Sequence, residues 1–153
     1  IVVTLTHQLA TVRATHDFGR SLAGRLRAAA LVVLTGDLGA GKTTLTQGLA
    51  EGLGVRGPVP SPPFFIARVH PSLRGGPALV HVDAYRLGGL ADLDALDLDA
   101  SLEDAVTVVE WGHGLAEGLS DNHLEVVLVA DPSTEARTAT VVGHGPRWTQ
   151  EFS

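Results

Sequence analysis

Apolar and polar positions alternate through residues 1–6, the pattern of an edge strand with one face in water. The alternation then gives way to a four-residue repeat. Phe18, Leu22 and Leu26 lay one apolar stripe along a helix that the spacing predicts to be capped by Thr15 and to run to about residue 29. Leu31–Thr35 is an apolar run rich in β-branched side chains and stopped by glycine, as expected of a strand buried on both faces. Leu45, Leu49 and Leu53 restore the helical repeat, which Gly54 closes. Strand, glycine turn and helix together open a βαβ layer.

Four prolines within residues 57–63 impose a loop. Residues 64–70 and 79–84 read as strands around a Pro/Gly turn at 71–77, and residues 106–109 as a further buried strand. Residues 88–104 are acidic, with Leu90, Leu93 and Leu96 at helical spacing, and predict short helices; 112–118 predicts another. Residues 124–129 and 138–142 read as a late hairpin, because no helical repeat separates them. No internal repeat or linker divides the chain, so a single domain over residues 1–153 is expected.

Composition removes several chemistries. The absence of cysteine excludes disulfides, thiol catalysis and thiolate-bound zinc. Apolar runs are too short to span a bilayer and no charged-then-apolar leader opens the sequence, which points to a cytoplasmic protein. A net charge of −6 argues against unaided binding to nucleic acid, which needs a basic stripe. The eleven positive residues comprise ten arginines and one lysine, Lys42.

That lysine lies in Gly36-Asp37-Leu38-Gly39-Ala40-Gly41-Lys42-Thr43, which fits G-x-x-x-x-G-K-[ST] between a predicted strand and a predicted helix. Glycines let the backbone curl into a nest of inward N–H groups, and the helix behind it adds the positive end of its dipole. In such a loop Gly39, Ala40 and Gly41 cradle phosphate, Lys42 reaches the β- and γ-phosphates, the Thr43 hydroxyl ligates Mg²⁺, and Thr44 adds a hydroxyl toward the α-phosphate. The fold class expected is therefore α/β, a P-loop NTPase-like domain with a mixed parallel and antiparallel sheet flanked by helices. With no second lysine the chain lacks the Asn-Lys-x-Asp guanine reader, so ATP is favoured over GTP.

Hydrolysis needs acids facing the loop. In His81-Val82-Asp83-Ala84-Tyr85-Arg86 the strand period puts His81 and Asp83 on one face. Glu110 stands at the carboxyl end of another buried strand, where ligands of open α/β sheets collect. Either acid could hold Mg²⁺ while the other orients water, and Asp83 could instead be a turn acid paired with Arg86. His81 and Asp83 lack a nearby third ligand for zinc. The other histidines read as surface or partly packed residues, and the acidic stretch 92–104 as a solvated face.

Taken together, the glycine loop through Thr44, Ser61-Pro62, His81-Val82-Asp83-Ala84-Tyr85-Arg86-Leu87 and Val109-Glu110-Trp111 resemble the TsaE family, the small bacterial P-loop ATPases of tRNA threonylcarbamoyladenosine biosynthesis. The resemblance runs from about residue 11 to 129. It implies slow ATP hydrolysis and action on a two-protein complex of related fold, one member of which transfers threonylcarbamoyl to the adenosine beside the anticodon. On that pattern tRNA is met only indirectly, Lys42 contacts phosphate, and Thr43 with Glu110 binds Mg²⁺. Asp83 and Trp111 complete the active site, and Thr11 lies near adenine. One departure stands out: the family's Ser-Pro-Thr-aromatic reads Ser61-Pro62-Pro63-Phe64 here, so a loop hydroxyl is missing and the loop is stiffer. Two other readings of the same loop are a small-molecule kinase and a nucleotide-dependent assembly subunit without turnover.

Overall fold

Among the described residues seven strands form one sheet: β1 (Val2–Leu9), β2 (Leu31–Thr35), β3 (Ala67–His70), β4 (Ala78–Asp83), β5 (Ala105–Glu110), β6 (His123–Ala130) and β7 (Arg137–His144). Their order is β1-β7-β6-β2-β5-β4-β3. The computed structural model describes residues 2–36, 40–57, 67–83, 104–110 and 122–151. The proline loop at 58–63, the acidic stretch 88–103 and the helix expected at 112–118 lie outside the described residues. β6, β2, β5 and β4 run parallel; β7 pairs antiparallel with β6 and β1 antiparallel with β7 at one flank, and β3 pairs antiparallel with β4 at the other. The expected mixed sheet flanked by helices is the observed architecture, and β1, from Val2, is the edge strand expected at this end of the chain. Among the described residues no helix is long and apolar enough to cross a membrane.

β2 occupies the middle of the sheet because its sequence tolerates nothing else. Leu31, Val32, Val33 and Leu34 are each fully buried, so both faces are covered. Val32 and Leu34, with Leu79, Val106, Val108, Leu124 and Val126 of neighbouring strands, join the core that includes Leu22, Leu45 and Leu49 of the helices α1 (Val12–Ala23) and α2 (Lys42–Leu53). Each fully buried leucine contributes about 1.5–3 kcal/mol against its exposed state.

Two expectations about α1 are corrected. Its cap is Thr11, whose backbone is extended and whose hydroxyl accepts the Ala14 N–H at 3.0 Å. Thr15 lies one turn inside and is buried. The helix also ends at Ala23, and Leu26 reaches the core from the turn that follows, where its N–H donates to the Ala23 carbonyl. The leucine stripe thus recorded burial correctly and helix length incorrectly.

Among the described residues a further helix, α3 (Pro146–Glu151), stands where the sequence pattern predicts none, since six residues are too few to display a period. It carries Trp148, which is 1% exposed, and the Arg147 guanidinium donates to the Ala28 carbonyl at 3.2 Å.

His70 and His123 are buried, against the reading of them as surface or partly packed residues. Sequence could not show this because each sits at the end of a strand whose alternation is broken nearby. The His70 Nδ1–H donates to the Arg56 carbonyl at 3.0 Å. Burial holds its pKa below the ordinary 6.5 despite that bond, which raises it, and the charges of His81 and Arg68 lower it further. A depressed folded pKa gives stability that is present above about pH 6.5 and lost as pH falls through the folded value. His70→Asn, which keeps an N–H for the Arg56 carbonyl, is expected to shrink the loss of Tm between pH 7.5 and 5.5, measured by thermal unfolding.

Candidate phosphate-binding site

The glycine loop leaves the sheet at the carboxyl end of its central strand and returns as α2. Gly41 precedes α2 with φ 102°, a left-handed conformation that a β-carbon would strain. Among the described residues no side chain hydrogen-bonds to cap this helix, and the positive end of its dipole suits an anion. Lys42 is the first helical residue and is only 6% exposed. Its Nζ donates to the Gly36 carbonyl at 2.5 Å, which holds the ammonium across the base of the loop. Thr43 and Thr44 follow in the same turn, half-buried, and the Thr46 hydroxyl donates to the Lys42 carbonyl at 2.8 Å.

The first turn of α1 stands against this loop. A β-carbon placed on Gly41 would lie 3.5 Å from the Thr15 methyl, and Thr11 caps that same turn with an exposed side chain. Thr11 thereby stands one helical turn from the residue that packs against Gly41.

Arg137 is the site residue that sequence reasoning missed. At the start of β7, its Nε donates to the Ala40 carbonyl at 3.0 Å and its Nη1 to the Ala136 carbonyl at 3.0 Å. It fastens the phosphate loop to the far hairpin. The hairpin turn is itself fixed: Asp131 Oδ1 accepts from the Ser133 N–H and hydroxyl, both at 2.9 Å, and these bonds hold its carboxyl below the usual range. The available signal is an arginine four residues beyond a Pro/Ser turn, and it reveals nothing until the strand order is known.

The acids arrive from the neighbouring strands. β5 lies beside β2 with Leu34 opposite Glu110, and β4 lies beside β5 with Asp83 opposite Glu110. Asp83 and Glu110 are therefore paired at the sheet end from which the glycine loop departs. Glu110 is 1% exposed, and the wholly buried His81 donates from Nε2 to its Oε2. Gly39, Trp111 and the side chain of Asp83 lie outside the described part of the structure.

Comparison with known proteins follows the same residues. The profile of the family described as "Threonylcarbamoyl adenosine biosynthesis protein TsaE" matches residues 9–139. The chain belongs to the TsaE family. Within the family it is 60% identical over 136 residues to the tRNA threonylcarbamoyladenosine biosynthesis protein TsaE of Streptomyces coelicolor, covering 86% of this chain and 92% of that one. It is 50% identical over 142 residues to the TsaE of Mycobacterium tuberculosis strain H37Rv, covering 88% and 84%. The crystal structure of Bacillus subtilis YdiB superposes with a TM-score of 0.79 at 29% identity, covering 99% of this chain and 93% of that one. The family match spans all the site residues described above, from Thr11 to Arg137, and stops before α3.

The donors present in this TsaE-family chain fit Mg²⁺. Thr43 offers a hydroxyl and Glu110 a buried carboxylate at the same end of the sheet, a hard oxygen set of the kind Mg²⁺ takes alongside phosphate oxygens.

Proposed function

We propose that this TsaE-family chain is a Mg²⁺-dependent ATP hydrolase, slow on its own, that serves threonylcarbamoyladenosine modification of tRNA in the cytoplasm by acting on the threonylcarbamoyl transferase complex. The observation that carries the proposal is a buried lysine at the head of the helix that follows the glycine loop, with a buried glutamate across the same sheet end. Lys42 would trade the Gly36 carbonyl for β- and γ-phosphate oxygens, a gain because a buried ammonium prefers full negative charge to a carbonyl dipole. The first N–H groups of α2 would bind the remaining phosphate oxygens, with Ala40 and Gly41 keeping the loop open around them. Thr43 and Glu110 would hold Mg²⁺, which when bound neutralises charge between the phosphates. Asp83 and Trp111 are proposed to complete the site, Asp83 orienting the attacking water, with Thr11 beside adenine.

The relatives carry tRNA threonylcarbamoyladenosine biosynthesis in their names, and the acidic balance of this chain fits a subunit that docks on proteins and leaves tRNA to them. Arg137 is engaged with the loop backbone from β7, an arrangement that disfavours the kinase reading, in which an arginine rides on a helical lid. Threonylcarbamoyl transfer to tRNA by the partner pair, with and without this chain and ATP, tests the proposal. Repeated turnover only when both are added is the expected result. Transfer that is indifferent to the chain would overturn it.

A further inference from the structure

The buried His81–Glu110 pair has no obvious place in holding the fold together. Both side chains are essentially sealed from solvent, at 0% and 2% exposure, so water does not satisfy either of them. A buried polar pair of this sort seldom stabilises more than two well-packed apolar residues would. The neighbouring positions on the same face, Leu79 and Val106 with Val108, show that the sheet accepts apolar residues there without difficulty. The pair therefore calls for a use other than stability.

Register supplies one. In the parallel β4/β5 ladder His81 lies opposite Val108 and Asp83 opposite Glu110. His81 thus sits one ladder step below the sheet end and reaches Glu110 diagonally, the next-nearest relation on one face of a sheet. The strand period of two puts a histidine and an aspartate separated by one residue on a common face. One strand then delivers an acid to the rim and a hydrogen-bond donor to the layer beneath it. The His-x-Asp spacing follows from this need.

We infer that His81 is a positioning residue for Glu110: by donating its Nε2–H to Oε2 it fixes the carboxylate in the orientation from which the remaining lone pairs take the nucleotide's cation. The inference rests on the reading of Glu110 as a cation ligand. Glu110 ends β5, and an unrestrained glutamate there would populate several rotamers. An imidazole donor in a dry layer selects one of them. Partners of this kind, placed behind a metal-binding side chain, are worth about 10- to 100-fold in metal affinity.

The test uses the full chain with ADP and Mn²⁺ in place of Mg²⁺, with Mn²⁺ affinity read by electron paramagnetic resonance. His81→Gln keeps an amide N–H near the position of Nε2, whereas His81→Asn puts its amide where Nδ1 was, out of reach of Glu110. His81→Asn is expected to weaken Mn²⁺ affinity about 10- to 100-fold and His81→Gln to retain it within about threefold. ADP affinity in excess chelator should be the same in all forms, which separates positioning from a general loss of structure. Equal Mn²⁺ affinities for the Asn and Gln variants overturn the inference. Glu110→Gln is measured alongside. If it leaves Mn²⁺ affinity unchanged, the cation-ligand reading fails and the inference fails with it. If Glu110→Gln weakens Mn²⁺ and His81→Asn does not, only the inference fails. Wild-type chain gives an independent check should a variant not fold: in a long-range ¹H–¹⁵N spectrum, His81 must carry its proton on Nε2, and a bare Nε2 overturns the inference.

Discussion

Lys42→Ala is expected to lower affinity for ATP about 10- to 100-fold and to bring hydrolysis to background, because a charge-assisted contact contributes roughly 1.5–3 kcal/mol. The cost arises at one atom. Nζ is the ammonium at the base of the loop, where 6% exposure leaves little water to replace it and the Gly36 carbonyl marks where it points before nucleotide enters. Arginine should not rescue it. A planar guanidinium needs more room than an ammonium that fits beneath a loop carbonyl at 2.5 Å, and it cannot act as a compact point charge. Isothermal titration of ATP into wild type, Lys42→Ala and Lys42→Arg gives the comparison. Affinities within a factor of two of one another would remove Lys42 from the phosphate site. Circular dichroism should show all three equally folded, since the lysine faces the loop and contributes little apolar burial.

Gly48→Ala is expected to destabilise the fold strongly, because the added methyl meets backbone. Gly48 lies in the middle of α2, where alanine would ordinarily gain about 0.5–1 kcal/mol. Here its β-carbon would stand 1.9 Å from the His16 carbonyl oxygen and 2.8 Å from the His16 carbonyl carbon. Both are backbone atoms of α1, so no side chain can rotate away and the helices must separate. Overpacking of this kind costs about 1–3 kcal/mol and more when backbone must move. For a domain of this size that corresponds to a Tm lower by roughly 5 °C or more. Separation also draws the first turn of α1 from Gly41, so ADP affinity should fall in the same variant. Gly57→Ala, with none of the described residues within 4 Å of the new carbon, is the control and should leave Tm within about 1 °C. A Gly48→Ala chain as stable as that control would mean that the two helices do not cross as described.

Much of the site was legible because its chemistry is local. The glycine loop, Lys42 and Thr43 are contiguous, and the strand that precedes them is apolar enough to be placed without knowing its neighbours. Glu110 was legible for a related reason, as an acid terminating an apolar run. The contacts that set these groups were not legible, because each joins distant segments. Arg137 reaches Ala40 across 97 positions, and nothing near residue 137 records that its strand begins beside the loop. The partnership of His81 with Glu110 depends on a ladder register that alternation alone does not fix. The cap of α1 was misplaced because Thr11 and Thr15 are both plausible threonines at a helix start; what decides between them is the extended backbone at Thr11. Gly48 carries no signal of its own in the sequence, since the leucines at 45 and 49 already account for the buried face of the helix and the closeness of its neighbour is a property of α1.

The Arg137–Ala40 bond also bears on the order in which the protein is made. Synthesis proceeds from the amino end, so the phosphate loop leaves the ribosome long before the strand that fastens it. β2 waits as well for β5 and β6, its neighbours on either side, which follow it by some seventy residues and more. Pairings this remote in sequence close late. A nascent chain that has completed its glycine loop therefore has the motif without its setting, and the loop acquires its final shape only once the last strand has joined the sheet.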